Sequence, residues 1–207
     1  MSIFFSNRFK LVLSALWVIV MMGSCEAVLK NSDQEKPNIL LIVSEDHGQD
    51  LGAYGNSIVT TPNIDSLGKN GVMFLNAYTT YSVCSPSRGS ILTGLYPHQN
   101  GQIGLATHDF EMYRAFESIP SFLKEEGYST GCLGKLHVNP ESAFPFDFHE
   151  IERSNFAKEK MGDYAIKASE FIRAAGEKPF FLMVNFPDAH FPMLRKVEGL
   201  TTIEVTG

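Results

Sequence analysis

The chain has 207 residues, with 23 Asp and Glu against 17 Lys and Arg, a formal net charge of −6, 44% hydrophobic and 19% charged residues. That balance is ordinary for a globular domain, and the length suffices for one buried core. There is no basic run, which argues against nucleic acid as a partner. The overall acidity offers a polyanion no general attraction, so any polyanion must be recognised locally.

Residues 1–27 read as an export segment. Arg8 and Lys10 form a basic start, and Leu11 to Met22 is apolar but short for a membrane span. Gly23-Ser24-Cys25 follows, small residues before a cysteine. One reading is lipoprotein-type cleavage with Cys25 lipidated; another is ordinary cleavage after Ala27; a third is a retained anchor helix. The first two export the protein, to the periplasm or a lipid anchor on a bacterial membrane, otherwise to the medium. Residues 28–36 read as a linker.

Pro37 to Val43 is a continuous apolar run, which predicts a central strand covered on both faces. It ends in Ser44-Glu45-Asp46-His47-Gly48. Two acids at the end of a buried strand need a cation or donors, and hard carboxylate oxygens suit Ca²⁺ or Mg²⁺. A loop with solvated acids is the other reading. Thr61 caps and Pro62 opens a helix that Asn70-Gly71 ends. Val72 to Tyr78 reads as a second strand, leading into the segment around Cys84. Ser118 to Glu126 is a short helix stopped by Gly127, and Tyr128 to Leu133 is a third strand. It delivers Gly134-Lys135-Leu136-His137, a cation and an imidazole together. Residues 155–175 carry apolar side chains at helical spacing, a packing helix. Phe180 to Phe186 is a fourth buried strand, running into Pro187-Asp188-Ala189-His190. Alternating strands and helices predict an α/β fold with a largely parallel sheet. Residues after parallel strands share the edge where such sheets bind ligands.

The stretch from Ser82 to Gly94 reads Ser-Val-Cys-Ser-Pro-Ser-Arg-Gly-Ser-Ile-Leu-Thr-Gly. Pro86 suits the first helical position, with Ser85 as cap and Gly94 as stop. Cys84 then lies just outside a helix N-terminus, where a thiolate or other anion is stabilised. Arg88 is a cation in the first turn, which makes sense if an anion sits between it and the amides. Cys84 and Arg88, four apart, share a helix face. A bland alternative is a buried Cys84, or a disulfide to Cys132 that removes it from chemistry.

This stretch resembles the signature of the sulfatase family, Cys-x-Pro-Ser-Arg continuing into Gly-Ser-Ile-Leu-Thr-Gly. Gly127 to His137 resembles the family's second signature, in the expected order. The resemblance spans roughly Lys36 to Pro192 and implies an alkaline-phosphatase-like sandwich, with residues 37–207 as its amino-terminal catalytic part. It implies that a separate enzyme, of the formylglycine-generating or anaerobic sulfatase-maturating kind, oxidises Cys84 to formylglycine. The aldehyde hydrate would attack sulfur and then expel sulfate. By the same resemblance Glu45, Asp46 and residue 84 would bind one Ca²⁺, with Glu45 a departure from the commoner aspartate. Arg88 would hold the modified residue, Lys135 would bind a sulfate oxygen, His137 would orient or deprotonate the nucleophile, and His190 would contact sulfate and protonate the leaving group. His47, His98, His108 and His149 match no catalytic position, although His98 is placed to line the pocket.

Leu95 to Gly101, Gly134 to Glu141 and Phe144 to Phe148 resemble the heparan N-sulfatase (sulfamidase) branch. The implied substrate is a sulfated sugar such as N-sulfoglucosamine, of glycosaminoglycan type. Sulfatases are usually more than twice this long, and an Asp-Asn metal pair belongs to their later half. The expectation is therefore an amino-terminal part that alone binds Ca²⁺ weakly and turns over slowly or not at all. Two alternatives stand beside it: a phosphatase or phosphodiesterase of the same superfold using unmodified Cys84, and an inactive glycan-binding remnant.

Overall fold

The computed structural model describes residues 35–152, 161–187 and 190. The export segment with Cys25, the start of the helix expected from residue 155, and residues 191–207 lie outside them. Among the described residues no helix is long and apolar enough to cross a membrane.

Four strands form one all-parallel sheet in the order β1-β4-β2-β3. They are β1 (Ile39–Ser44), β2 (Ser129–Leu133), β3 (Phe148–Glu150) and β4 (Phe180–Phe186). β4 is the axis, pairing with β1 from Ile39–Phe181 to Ser44–Phe186 and with β2 from Ser129–Phe180 to Leu133–Val184. The apolar run of β4 is continuous because it serves two cores. Phe181 and Met183 join Cys132, Leu92 and Val138 on one face, while Leu182 and Val184 join Leu133, Tyr164 and Phe171 on the other. That division follows from the period of two along a strand.

Five α-helices are described: α1 (Pro62–Asn70), α2 (Cys84–Thr93), α3 (Pro97–Asn100), α4 (Ile119–Glu125) and α5 (Met161–Ala175). The apolar stripe of α5 closes the second core, with Phe171 between Phe148 (5.5 Å) and Phe180 (6.1 Å). Ser118 caps α4, accepting from the Ser121 N–H as its sequence suggests.

Three expectations need correction. The run at Pro37 to Val43 forms β1 as expected, but in a four-strand sheet it lies at the edge rather than the centre. Leu40 and Ile42 are accordingly 52% and 56% exposed, because no described element packs on that face. Val72 to Tyr78 forms no strand. Val72, Phe74, Leu75 and Tyr78 are exposed there, and without a partner strand β-propensity alone does not make one. The cysteine helix begins two residues early: Cys84 is its first residue, Val83 the extended cap, and Pro86 sits third. The first four N–H groups of a helix are unpaired in any case, so proline is tolerated there. Ser85 does not cap because its Oγ accepts from the Ala106 N–H at 2.9 Å. Gly94 ends the helix as expected, at φ 70° with its N–H on Ser90 O. Strand β3 had no counterpart in the sequence reading; three residues are too few for a period to register.

Candidate active site

The carboxyl edge of the sheet gathers the polar residues that follow its strands. Glu45 leaves β1 with its N–H on Phe186 O (3.0 Å). Gly134 turns the chain after β2, at φ 84°, into Lys135, Leu136 and His137. Asn185 stands near the end of β4 and His190 follows it. Helix α2 brings Cys84 and Arg88 against this edge.

Glu45, Arg88 and Lys135 are all about 95% buried. Arg88 Nη2 donates to Glu45 Oε2 at 3.0 Å, and Lys135 Nζ donates to Glu45 Oε1 at 2.8 Å. Arg88 Nη1 donates to Lys135 O (2.7 Å) and to Asn185 Oδ1 (2.8 Å). The anion that Arg88 needed is therefore Glu45. Burial alone raises the Glu45 pKa, but Arg88 and Lys135 outweigh it and hold the carboxyl below its ordinary value. One carboxylate between two cations leaves an excess positive charge, which suits an anionic ligand.

Asn185 is a site residue that the sequence reading passed over. Its Nδ2 donates to Leu133 O (3.1 Å) and Cys132 Sγ (3.6 Å), so its oxygen must face Arg88. An asparagine inside an otherwise apolar strand was the available signal, since a buried amide requires partners.

Cys84 and Cys132 are both free, so the disulfide reading does not hold. Cys132 is fully buried, and burial pushes its thiol up to about 12. Cys84 is half-buried and lines two cavities. One, of about 570 Å³, also meets Glu45, Asp46, Ser87 and Arg88. The other, of about 320 Å³, meets Lys135, His137, Glu141, His149 and His190. His149, not assigned from sequence, enters that wall with Nε2 3.2 Å from Gly134 O. His98 instead stacks on Tyr96, ring centroids 5.8 Å apart, and lines neither cavity. Asp46 is exposed at φ 55°, beside Glu45 but on the open side. Ligand atoms of Glu45, Cys84 and His190 lie within 4.8 Å of one another.

His137 has both ring nitrogens buried without a hydrogen-bond partner and a left-handed backbone, φ 52°. Burial first, then repulsion by Lys135 and Arg88, pushes its pKa down from 6.5 to about 4. It is neutral at neutral pH and lines the second cavity with its side chain. The unfolded chain therefore takes up a proton that the folded one refuses between about 6.5 and 4, and stability falls as pH drops through that window. His137→Asn, which tolerates the same backbone, removes this contribution. Its melting temperature should vary less with pH across the window than wild type; an unchanged slope would refute the assignment to His137.

The sequence profile of the Sulfatase family matches residues 37–198. The chain is 37% identical over 178 residues to N-sulphoglucosamine sulphohydrolase of Homo sapiens, covering 84% of this chain and 34% of that protein. It is 38% identical over 139 residues to N-acetylgalactosamine-6-O-sulfatase of Bacteroides thetaiotaomicron, covering 64% of this chain and 27% of that one. Among solved structures, BT4656 in complex with its substrate D-glucosamine-2-N,6-O-disulfate superposes with a TM-score of 0.66 at 27% identity, covering 76% of this chain and 35% of that chain. Ps i-CgsB in complex with k-i-k-neocarrahexaose superposes with a TM-score of 0.68 at 28% identity, covering 78% and 47%. The chain thus spans about a third of the length of the curated relatives it matches. With its parallel sheet, its cysteine helix at the sheet's carboxyl edge and a profile match over most of its length, the chain belongs to the sulfatase family.

Proposed function

We propose that the chain forms the nucleophile-bearing part of a hydrolase that cleaves sulfate esters or N-sulfates of glycosaminoglycan-type sugars. The observation that carries this is the gathering of polar groups around Cys84: Lys135, His137 and His190 line one cavity with it, and the cation Arg88 lines the other. The names of the relatives support the substrate class, the human N-sulphoglucosamine sulphohydrolase foremost. In this reading Cys84 is converted to formylglycine by a maturating enzyme, and the protein is exported, with Cys25 as the lipid attachment point under lipoprotein-type cleavage.

Ca²⁺ is the ion the family resemblance implies, and the donor set here fits part of its shell. Glu45 and Asp46 present carboxylate oxygens to one cavity, and each Glu45 oxygen accepts a single hydrogen bond, leaving a lone pair. When bound, the ion and the aldehyde hydrate would supply sulfate polarisation and the attacking oxygen. The chain's own residues do the rest. Arg88 and Lys135 keep unused N–H donors for sulfate oxygens. Neutral His137 accepts a proton beside residue 84. His190, which lines the same cavity, would give a proton to the departing oxygen or nitrogen.

The test is a side-by-side assay of protein from its own cells on glucosamine N-sulfate, glucosamine 6-sulfate and an aryl phosphate. Release of inorganic sulfate from a sugar, with phosphate left esterified, is the expected outcome. Phosphate release without sulfate release would support the phosphatase alternative, and sugar binding without release the inactive remnant.

A further inference from the structure

We propose that the chain whose Cys84 is still a thiol binds one Zn²⁺ through Cys84 Sγ, a His190 ring nitrogen and a Glu45 carboxylate oxygen. This concerns the unconverted protein and does not rest on the hydrolase reading above. A thiolate, an imidazole and a carboxylate from three separate segments are a zinc donor set, with a fourth position left for water. Their ligand atoms already lie within 4.8 Å of one another. Tetrahedral zinc with bonds of about 2.0–2.3 Å needs donors roughly 3.3–3.8 Å apart, so a closure of about 1 Å completes the shell.

The surroundings favour this metal over a hard one. Cys84 opens helix α2, so its sulfur lies at the end of the helix whose N–H groups are unpaired. Ca²⁺ takes oxygen ligands, whereas sulfur and imidazole select softer ions. The thiolate brings a new negative charge to Zn²⁺ and Glu45 shares its own between the ion and Arg88, while the thiol proton leaves to solvent on binding. Lys135 is the group that must yield. Its single hydrogen bond to Glu45 Oε1 sits on a flexible four-carbon stem that lines the same cavity as His190, so it can turn into that cavity while Arg88 keeps Oε2. Zinc and Lys135 then compete for one carboxylate oxygen. Loss of the sulfur on conversion of Cys84 would abolish the site, so the soft metal belongs to the thiol state alone.

The experiment is a Co²⁺ titration of the full 207-residue chain, with peptide mass spectrometry verifying a thiol at position 84. Expected are one equivalent bound, a thiolate-to-cobalt charge-transfer band, tetrahedral visible bands, and displacement by Zn²⁺ but not by Ca²⁺. Cys84→Ser should lose the charge-transfer band, Cys25→Ser should keep it, and His190→Gln should bind at least about tenfold more weakly. A second reading needs no variant: Zn²⁺, and not Ca²⁺, should slow alkylation of Cys84 by iodoacetamide. No charge-transfer band, a band that survives Cys84→Ser, or alkylation indifferent to Zn²⁺ would each overturn the proposal. The cobalt band without sulfate release in the earlier assay would leave this site standing and count against the hydrolase alone.

Discussion

Replacing Arg88 with methionine is expected to cost about 3–5 kcal/mol of stability, the usual consequence of leaving one partner of a buried ion pair behind. Methionine fills much of the same space, so the loss is electrostatic rather than a cavity. Three acceptors are abandoned together: Glu45 Oε2, Asn185 Oδ1 and the Lys135 carbonyl. Glu45 keeps Lys135, which is why the chain is not expected to lose the whole site. The pH dependence should change as well. Glu45 has a folded pKa below the ordinary glutamate value of 4.5, so its contribution is present above 4.5 and is lost as pH falls through the folded value. Without Arg88 the carboxyl rises toward protonation, and acid unfolding moves to higher pH. Urea denaturation of both proteins, at neutral pH and below the glutamate range, measures the loss and the shift. A cost within about 0.5 kcal/mol, the range of ordinary surface substitutions, would mean that the guanidinium is not held as described.

Gly134→Ala should be comparably damaging for an unrelated reason. Gly134 has φ 84°, and a Cβ placed on it would lie 2.4 Å from the Asn185 carbonyl oxygen. The left-handed conformation costs an L-residue about 1–2 kcal/mol and overpacking about 1–3, so a total of about 2–5 kcal/mol is expected. The clash is with backbone of the central strand, which cannot swing aside as a side-chain tip would. Relief requires the turn after β2 to move away from β4, and that turn delivers Lys135 and His137. The variant should therefore melt earlier and also lose the depressed His137 pKa, visible as a histidine proton resonance titrating nearer its ordinary range. An alanine variant with wild-type stability and an unshifted His137 would contradict this placement.

How far the sequence carries can be seen residue by residue. β4 was legible because its seven residues form a run bounded by Pro179 and Pro187, and β2 because Gly127 and Gly134 bracket it. The carboxyl-edge placement of Glu45, Lys135 and His190 followed from reading those strands as parallel. What was not legible depended on partners distant in sequence. Whether 72–78 becomes a strand is decided by a neighbouring strand, which local apolarity does not encode. The partnership of Glu45 with both Arg88 and Lys135 joins residues 43 and 90 positions apart. Arg88 was read as awaiting an anion; that the anion is Glu45 emerges only when β1 and α2 meet. Asn185 was hidden because its function is to orient Arg88 from inside a strand that reads as core.

The proposed function makes Cys84 the reacting position of a sulfatase-type site. Peptide-level mass spectrometry of residue 84, on protein from its own cells, tests it most directly. Formylglycine is expected at that position, with Cys132, buried and held by Asn185, left as a thiol. An unmodified cysteine at position 84 in protein that nonetheless releases sulfate, or a Cys84–Cys132 disulfide, would contradict it.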